Sequence, residues 1–178
     1  MTTTQFSFRT GFNGLRDHVA ATPEAAVATF SAASRQVEGL WSKVAVRDFA
    51  LDVDEPAALG GTDKGPNPVE LVLAALASCQ EITYRLYADR LGVPLDGVAV
   101  TVEGDIDLRG FTGADDSVRP GFRDIRVRVE LTSSAPLEAL ERVKATVDRH
   151  CPVLDIIGNA VPTAITFTSA EAHIPAAE

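Results

Sequence analysis

Scarcity marks this chain of 178 residues: two cysteines, one methionine, one tryptophan, two tyrosines and three histidines. Two cysteines cannot make a disulfide scaffold, and a chain of this length does not need one. They read as free thiols, or as a pair cycling through a transient disulfide in a reducing compartment. The histidines, His18, His150 and His173, are scattered without zinc spacing, and no phosphate-cradling or dinucleotide-binding glycine motif is present, so no metal or organic cofactor is expected. Cationic residues are the minority, 16 Lys and Arg against 25 Asp and Glu, for a net charge of −9. That balance argues against nucleic acid or an anionic membrane as partner, because phosphate backbones are held by concentrated Lys and Arg. No apolar run reaches the ~20 residues a bilayer span needs. The start, MTTTQFSFRTGFNGLRDHV, lacks a basic region, an apolar stretch and a small-residue cleavage site, so no signal peptide and a cytoplasmic location are expected.

What is present is ordinary globular material, 46% hydrophobic and 23% charged, enough for one domain over residues 1–178 with a real core. Residues 1–24 read as a peripheral N-terminal helix or extension, and 171–178 as a frayed tail. The organising stretch is residues 65–92, GPNPVELVLAALASCQEITYRLYADRLG. Asn67 is a suitable N-cap, Pro68 fits the first helical position, Gly92 can close the helix, and Pro94 cannot continue it. Residues 69–78 are almost wholly apolar and small, which predicts a helix covered on several sides. Cys79 follows, where the apolar half gives way to a polar one, at the edge of a core. A lone helical cysteine is by default a small hydrophobe.

Elsewhere, residues 11–21 suit a short helix with Asn13 as cap. Residues 25–41 and 42–55 suit two antiparallel strands, with Arg35 in or near their connection. The Pro- and Gly-rich stretch EPAALGGTDKGPN reads as a loop. Alternation predicts half-buried strands over GVAVTVEGDIDLRG and FRDIRVRVELTSS, joined by a polar connection, FTGADDSVRPG, whose Asp115 and Asp116 read as solvated. In PLEALERVKATVDRHC, with Ser134 as cap, Leu137, Leu140, Val143 and Val147 form an apolar helical face. Cys151 continues it into the core, while Pro152 places that cysteine at the helix end. A last strand is predicted over VPTAITFTS. Helices segregated from antiparallel strands make this an α+β protein.

The segments GTDKGPNPVELVLAALASC and HCPVLDIIGNAVP resemble the OsmC/Ohr family of thiol-dependent hydroperoxide reductases, the likeness running from about Ala25 to Phe167. The resemblance implies an OsmC-like fold, antiparallel sheets around a long buried central helix, in an intertwined homodimer with active sites at the subunit interface. It implies a peroxidatic Cys79, a resolving Cys151 and an external dithiol reductant, acting on organic, acyl-type hydroperoxides. The family also uses an arginine from the early strands, which by position is Arg35, with Arg47 the poorer candidate. The family glutamate stands ten places before the cysteine, where this chain has Val69. Glu70, nine before, falls on the opposite side of the helix from Cys79 and reads better as a first-turn acid favoured by the helix dipole. Two alternatives stand beside the peroxidase: a protein of this fold without efficient turnover that binds an apolar ligand or a protein, and a purely structural dimer.

Overall fold

The computed structural model describes residues 8–169. The expected frayed tail over 171–178 and His173 lie outside them. Helix α1 (Arg9–Ala21) precedes three strands, β1 (Ala33–Glu38), β2 (Trp41–Val46) and β3 (Phe49–Val53). The long helix α2 (Pro68–Leu91) follows, then β4 (Gly97–Ile106), the short α3 (Leu108–Thr112), β5 (Phe122–Thr132), α4 (Leu137–His150) and α5 (Pro152–Gly158). The strands form two antiparallel sheets, β1-β2-β3 and β4-β5, so the α+β class holds. Among the described residues no helix is long and apolar enough to cross a membrane.

The ends of α2 are set as its sequence dictates. Asn67 Oδ1 accepts the Glu70 N–H at 2.9 Å and Glu70 Oε2 accepts the Asn67 N–H at 2.8 Å, a reciprocal capping box. At the other end Gly92 takes φ 68°, closing the helix on the carbonyls of Ala88 and Asp89. The lead-in to α2 is folded on the buried Asp54, whose carboxylate accepts the N–H groups of Glu55, Thr62 and Lys64 and the Thr62 hydroxyl at 2.7 Å. Those bonds, the Thr62 hydroxyl first, hold its pKa down to about 2. The loop is tight enough that a Cβ on Gly61 would lie 1.8 Å from the Glu55 carbonyl oxygen.

One core cluster sits where α2 crosses α4. Tyr84, Tyr87, Ala88, Val143, Val147 and Cys151 are buried together, with Phe12, Val98, Val129, Leu131 and Leu154 packed around them. β4 lies along α2 and pairs β5 in the register Val98↔Leu131, Val100↔Val129, Val102↔Val127, so its alternate valines face the helix. α1 closes the C-terminal end of α2: Phe12 meets the Tyr87 ring edge-on at 5.4 Å, and the Arg9 guanidinium donates to the Asp89 carbonyl at 2.6 and 2.9 Å.

Several local expectations are corrected. The early segment forms three strands, because the chain turns at Gly39 and again at Arg47, which takes φ 54° without being glycine. Arg35 therefore lies within β1, opposite Lys43, and not in a connection. Asn13 is inside α1, which starts at Arg9 with no side-chain cap. Ser134 caps nothing; Pro136 occupies the N-cap of α4, while the neighbouring Ser133 hydroxyl accepts the Ala135 N–H at 3.0 Å. The polar connection carries α3. Residues 161–169 form no strand, since no strand among the described residues pairs with them. Nor is the apolar half of α2 covered all round: Val69 and Val72 are exposed.

Candidate functional site

The two cysteines, 72 residues apart in sequence, come together. Cys151 Sγ donates to Cys79 Sγ at 3.4 Å, and both sulfurs are free thiols. Cys79 is placed by the middle of α2, where its own carbonyl also accepts the Thr83 hydroxyl at 2.6 Å. Cys151 is placed by the corner between α4 and α5. Its backbone, at φ −78° and ψ 110°, ends one helix and begins the next, as the following proline requires. Their accessibility differs: Cys79 is half-buried, whereas Cys151 is 1% exposed.

Burial pushes the Cys151 thiol pKa up, and the adjacent Cys79 sulfur pushes it the same way. The Leu154 N–H and the Gln80 side chain act against that rise. Gln80 is 3% exposed, although it belongs by sequence to the polar half of α2. The signal was available: Gln80 and Thr83 fall on the same side of the helix as Leu76, the side facing α4. Glu70 is engaged by the capping box, nine residues and therefore about 13 Å along the helix axis from Cys79. Its structural reading as a first-turn acid fits that geometry. Asn67 also reaches Glu55, whose Oε2 accepts its Nδ2–H at 3.4 Å.

The predicted cation is not beside the thiols through any contact within this chain. Arg35 stands exposed on β1 without an ion pair or hydrogen bond among the described residues. Arg47 lies over the Phe49 ring at 5.1 Å in the β2–β3 turn. Helix α2 packs on α1, β4, α4 and α5, and the three-stranded sheet makes its main contacts within itself. His150 stacks on Tyr87 at 5.2 Å and points away from a role as base for its neighbour Cys151. Among the described residues no group of His, Cys, Asp and Glu is placed to hold a metal ion.

A half-exposed thiol against a buried one is an arrangement that can be oxidised at the first and closed by the second. Comparison with known proteins bears on this geometry. Residues 61–166 match the family described as OsmC-like protein. The fold is similar to that of an OsmC-like protein from Mycoplasma pneumoniae, with TM-score 0.63, 19% identity, and 74% of this chain and 88% of that one covered. It is similar also to an organic hydroperoxide resistance protein OsmC from Legionella pneumophila, with TM-score 0.57, 25% identity, and 74% and 90% covered. A third likeness is to an organic hydroperoxide resistance protein from Elizabethkingia anophelis, with TM-score 0.56, 18% identity, and 72% and 87% covered. Among curated protein sequences none matches the chain.

Proposed function

The chain belongs to the OsmC-like protein family, and from that premise we propose that it is a thiol-dependent peroxidase reducing organic hydroperoxides. The observation that carries this reading is the 3.4 Å approach of an accessible sulfur to a buried one. The Cys79 thiolate attacks the distal oxygen of the hydroperoxide. The O–O bond breaks, the alcohol leaves after taking a proton, and Cys79 becomes a sulfenic acid. Cys151 then attacks the Cys79 sulfur, its proton leaving with the displaced hydroxide as water, and a disulfide forms. An external dithiol returns both to thiols. The assignment of roles follows exposure: only Cys79 can meet substrate, and only Cys151 is shielded until it is needed. Reduction by dithiol suits a reducing compartment such as the cytoplasm.

The working unit in this reading is a homodimer. Val37, Phe49 and Leu51 on the first sheet are exposed, and Ile165 and Phe167, spaced as one face of a strand, are each 90% exposed. A second copy would cover them and bring its Arg35 to the Cys79 thiolate, supplying the cation that this chain does not supply to itself. A second reading, an apolar-ligand carrier with little turnover, is favoured by one observation, the engagement of Glu70 in capping rather than with a cation. Treatment with a stoichiometric organic hydroperoxide, followed by mass mapping, separates them. The peroxidase yields a Cys79–Cys151 disulfide and one alcohol per pair; unchanged thiols would overturn it in favour of the carrier.

A further inference from the structure

At the end of β4 remote from the core cluster, three arginines converge on one open cleft of about 390 Å³, lined by Asp107, Arg109, Val118, Arg119 and Arg123. Such a concentration is unexpected in a chain with a net charge of −9. Tight backbone packing makes the cleft. A Cβ on Gly110 would lie 2.5 Å from the Val118 carbonyl oxygen and 2.6 Å from that of Arg119. Only a glycine there lets the 118–119 segment close on α3 and bring Arg119 alongside Arg109.

Two of the three arginines stand beside acids and the third does not, and Asp105 adds its charge to that of Asp107 on the Arg123 side. The Asp107 carboxylate is already occupied by Arg109, taking its Nε–H at 3.0 Å, its Nη2–H at 2.6 Å and its backbone N–H at 3.1 Å. Asp115 accepts the Ser117 hydroxyl at 2.6 Å and stands 3.8 Å from Arg109. Arg123 reaches Asp107 only at 4.0 Å. Arg119 has no ion pair or hydrogen bond among the described residues, so its donor fork is open. Arg109, pinned by Asp107, forms a fixed wall.

The geometry points to an oxyanion-binding cleft in which Arg119 and Arg123, against the fixed Arg109, grip the phosphate or carboxylate group of a small organic ligand. Guanidinium forks match both groups bidentately, which lysines would not, and the volume falls in the range of small-molecule sites, roughly 300–1,000 Å³. The site is separate from the thiols. β4 runs back along α2, Gly104 lies beside Leu73, and the helical rise to Cys79 and the strand beyond Gly104 put the cleft on the order of 15–20 Å away.

The test is an NMR titration of the reduced full chain with inorganic phosphate at constant ionic strength, with sodium chloride as control. Saturable shifts confined to amides of residues 107–123, weakened at least about tenfold by Arg119→Ala and partly restored by Arg119→Lys, are expected. Arg149→Ala, on α4, should leave them unchanged. Phenyl phosphate and benzoate then distinguish the two oxyanions: the tighter binder names the group. Shifts that follow ionic strength, persist in Arg119→Ala, or never saturate would overturn the proposal. Hydroperoxide turnover does not enter the readout, so this result and the peroxidase reading fail independently.

Discussion

Joining Cys79 to Cys151 should raise the melting temperature by an amount the structure sets. The sulfurs lie 3.4 Å apart and a disulfide needs about 2.05 Å, so the pair must close by a little over 1 Å. The backbone corner at Cys151 can supply that without displacing α2. The bond would close a loop of 72 residues, and the chain-entropy relation gives about 4 kcal/mol of stabilisation through the unfolded state at room temperature. For a chain of this size that corresponds to a rise of roughly 10 °C. The assay is differential scanning calorimetry at one protein concentration, comparing dithiol-reduced protein with protein oxidised by one equivalent of organic hydroperoxide. Cys151→Ser serves as a control that cannot form the bond. Mass mapping must first show the disulfide. If it is present and the melting temperature is unchanged or lower, closing the gap strains the fold by as much as the loop entropy gives, and the inference from proximity to a ready redox pair is wrong.

Three further outcomes follow from the same structure. Cys79→Ser should abolish hydroperoxide consumption, whereas Cys151→Ser should allow a single turnover and leave Cys79 as a sulfenic acid trapped by dimedone; the reverse pattern would exchange the two roles. Val147, fully buried between α2 and α4, should cost about 2 kcal/mol as Val147→Ala in urea unfolding, and a loss below about 0.5 kcal/mol would mean the cluster is not the core. Asp54 titrates at about 2 in the fold, below its ordinary value, so its contribution is present above that ordinary value and lost as pH falls to about 2. Asp54→Ala should therefore melt below the wild type at neutral pH, with the gap closing as the pH approaches 2; a gap that does not narrow would show that the carboxylate's charge is not what holds the loop.

How much could be read beforehand varied with the kind of signal. The limits of α2 were legible because Asn67-Pro68 and Gly92 act through local backbone chemistry, which needs no tertiary context. The inward direction of Cys151 was legible from its step of four after Val147. The third strand was not, since the turn at Arg47 uses a positive φ that its side chain does not advertise. Gln80 is polar yet buried, so polarity alone misplaces it, whereas its helical position puts it toward α4. The strand expected over 161–169 has the right alternation, yet a strand exists only with a neighbour to bond, and none among the described residues takes that place. Arg35 is exposed on β1 in this chain, and a contact with a second copy, as proposed above, would not be encoded in the spacing of one chain.

The two sulfurs are mounted differently. Cys79 is clamped mid-shaft in a helix of 24 residues, while Cys151 hangs at a knee where two helices meet. In the proposed redox cycle the travel would fall to the Cys151 side, and the α5 limb should swing slightly at each oxidation while α2 stays still. Substitutions that stiffen or lengthen that knee would alter how fast the bond closes without touching how the first sulfur meets its oxidant.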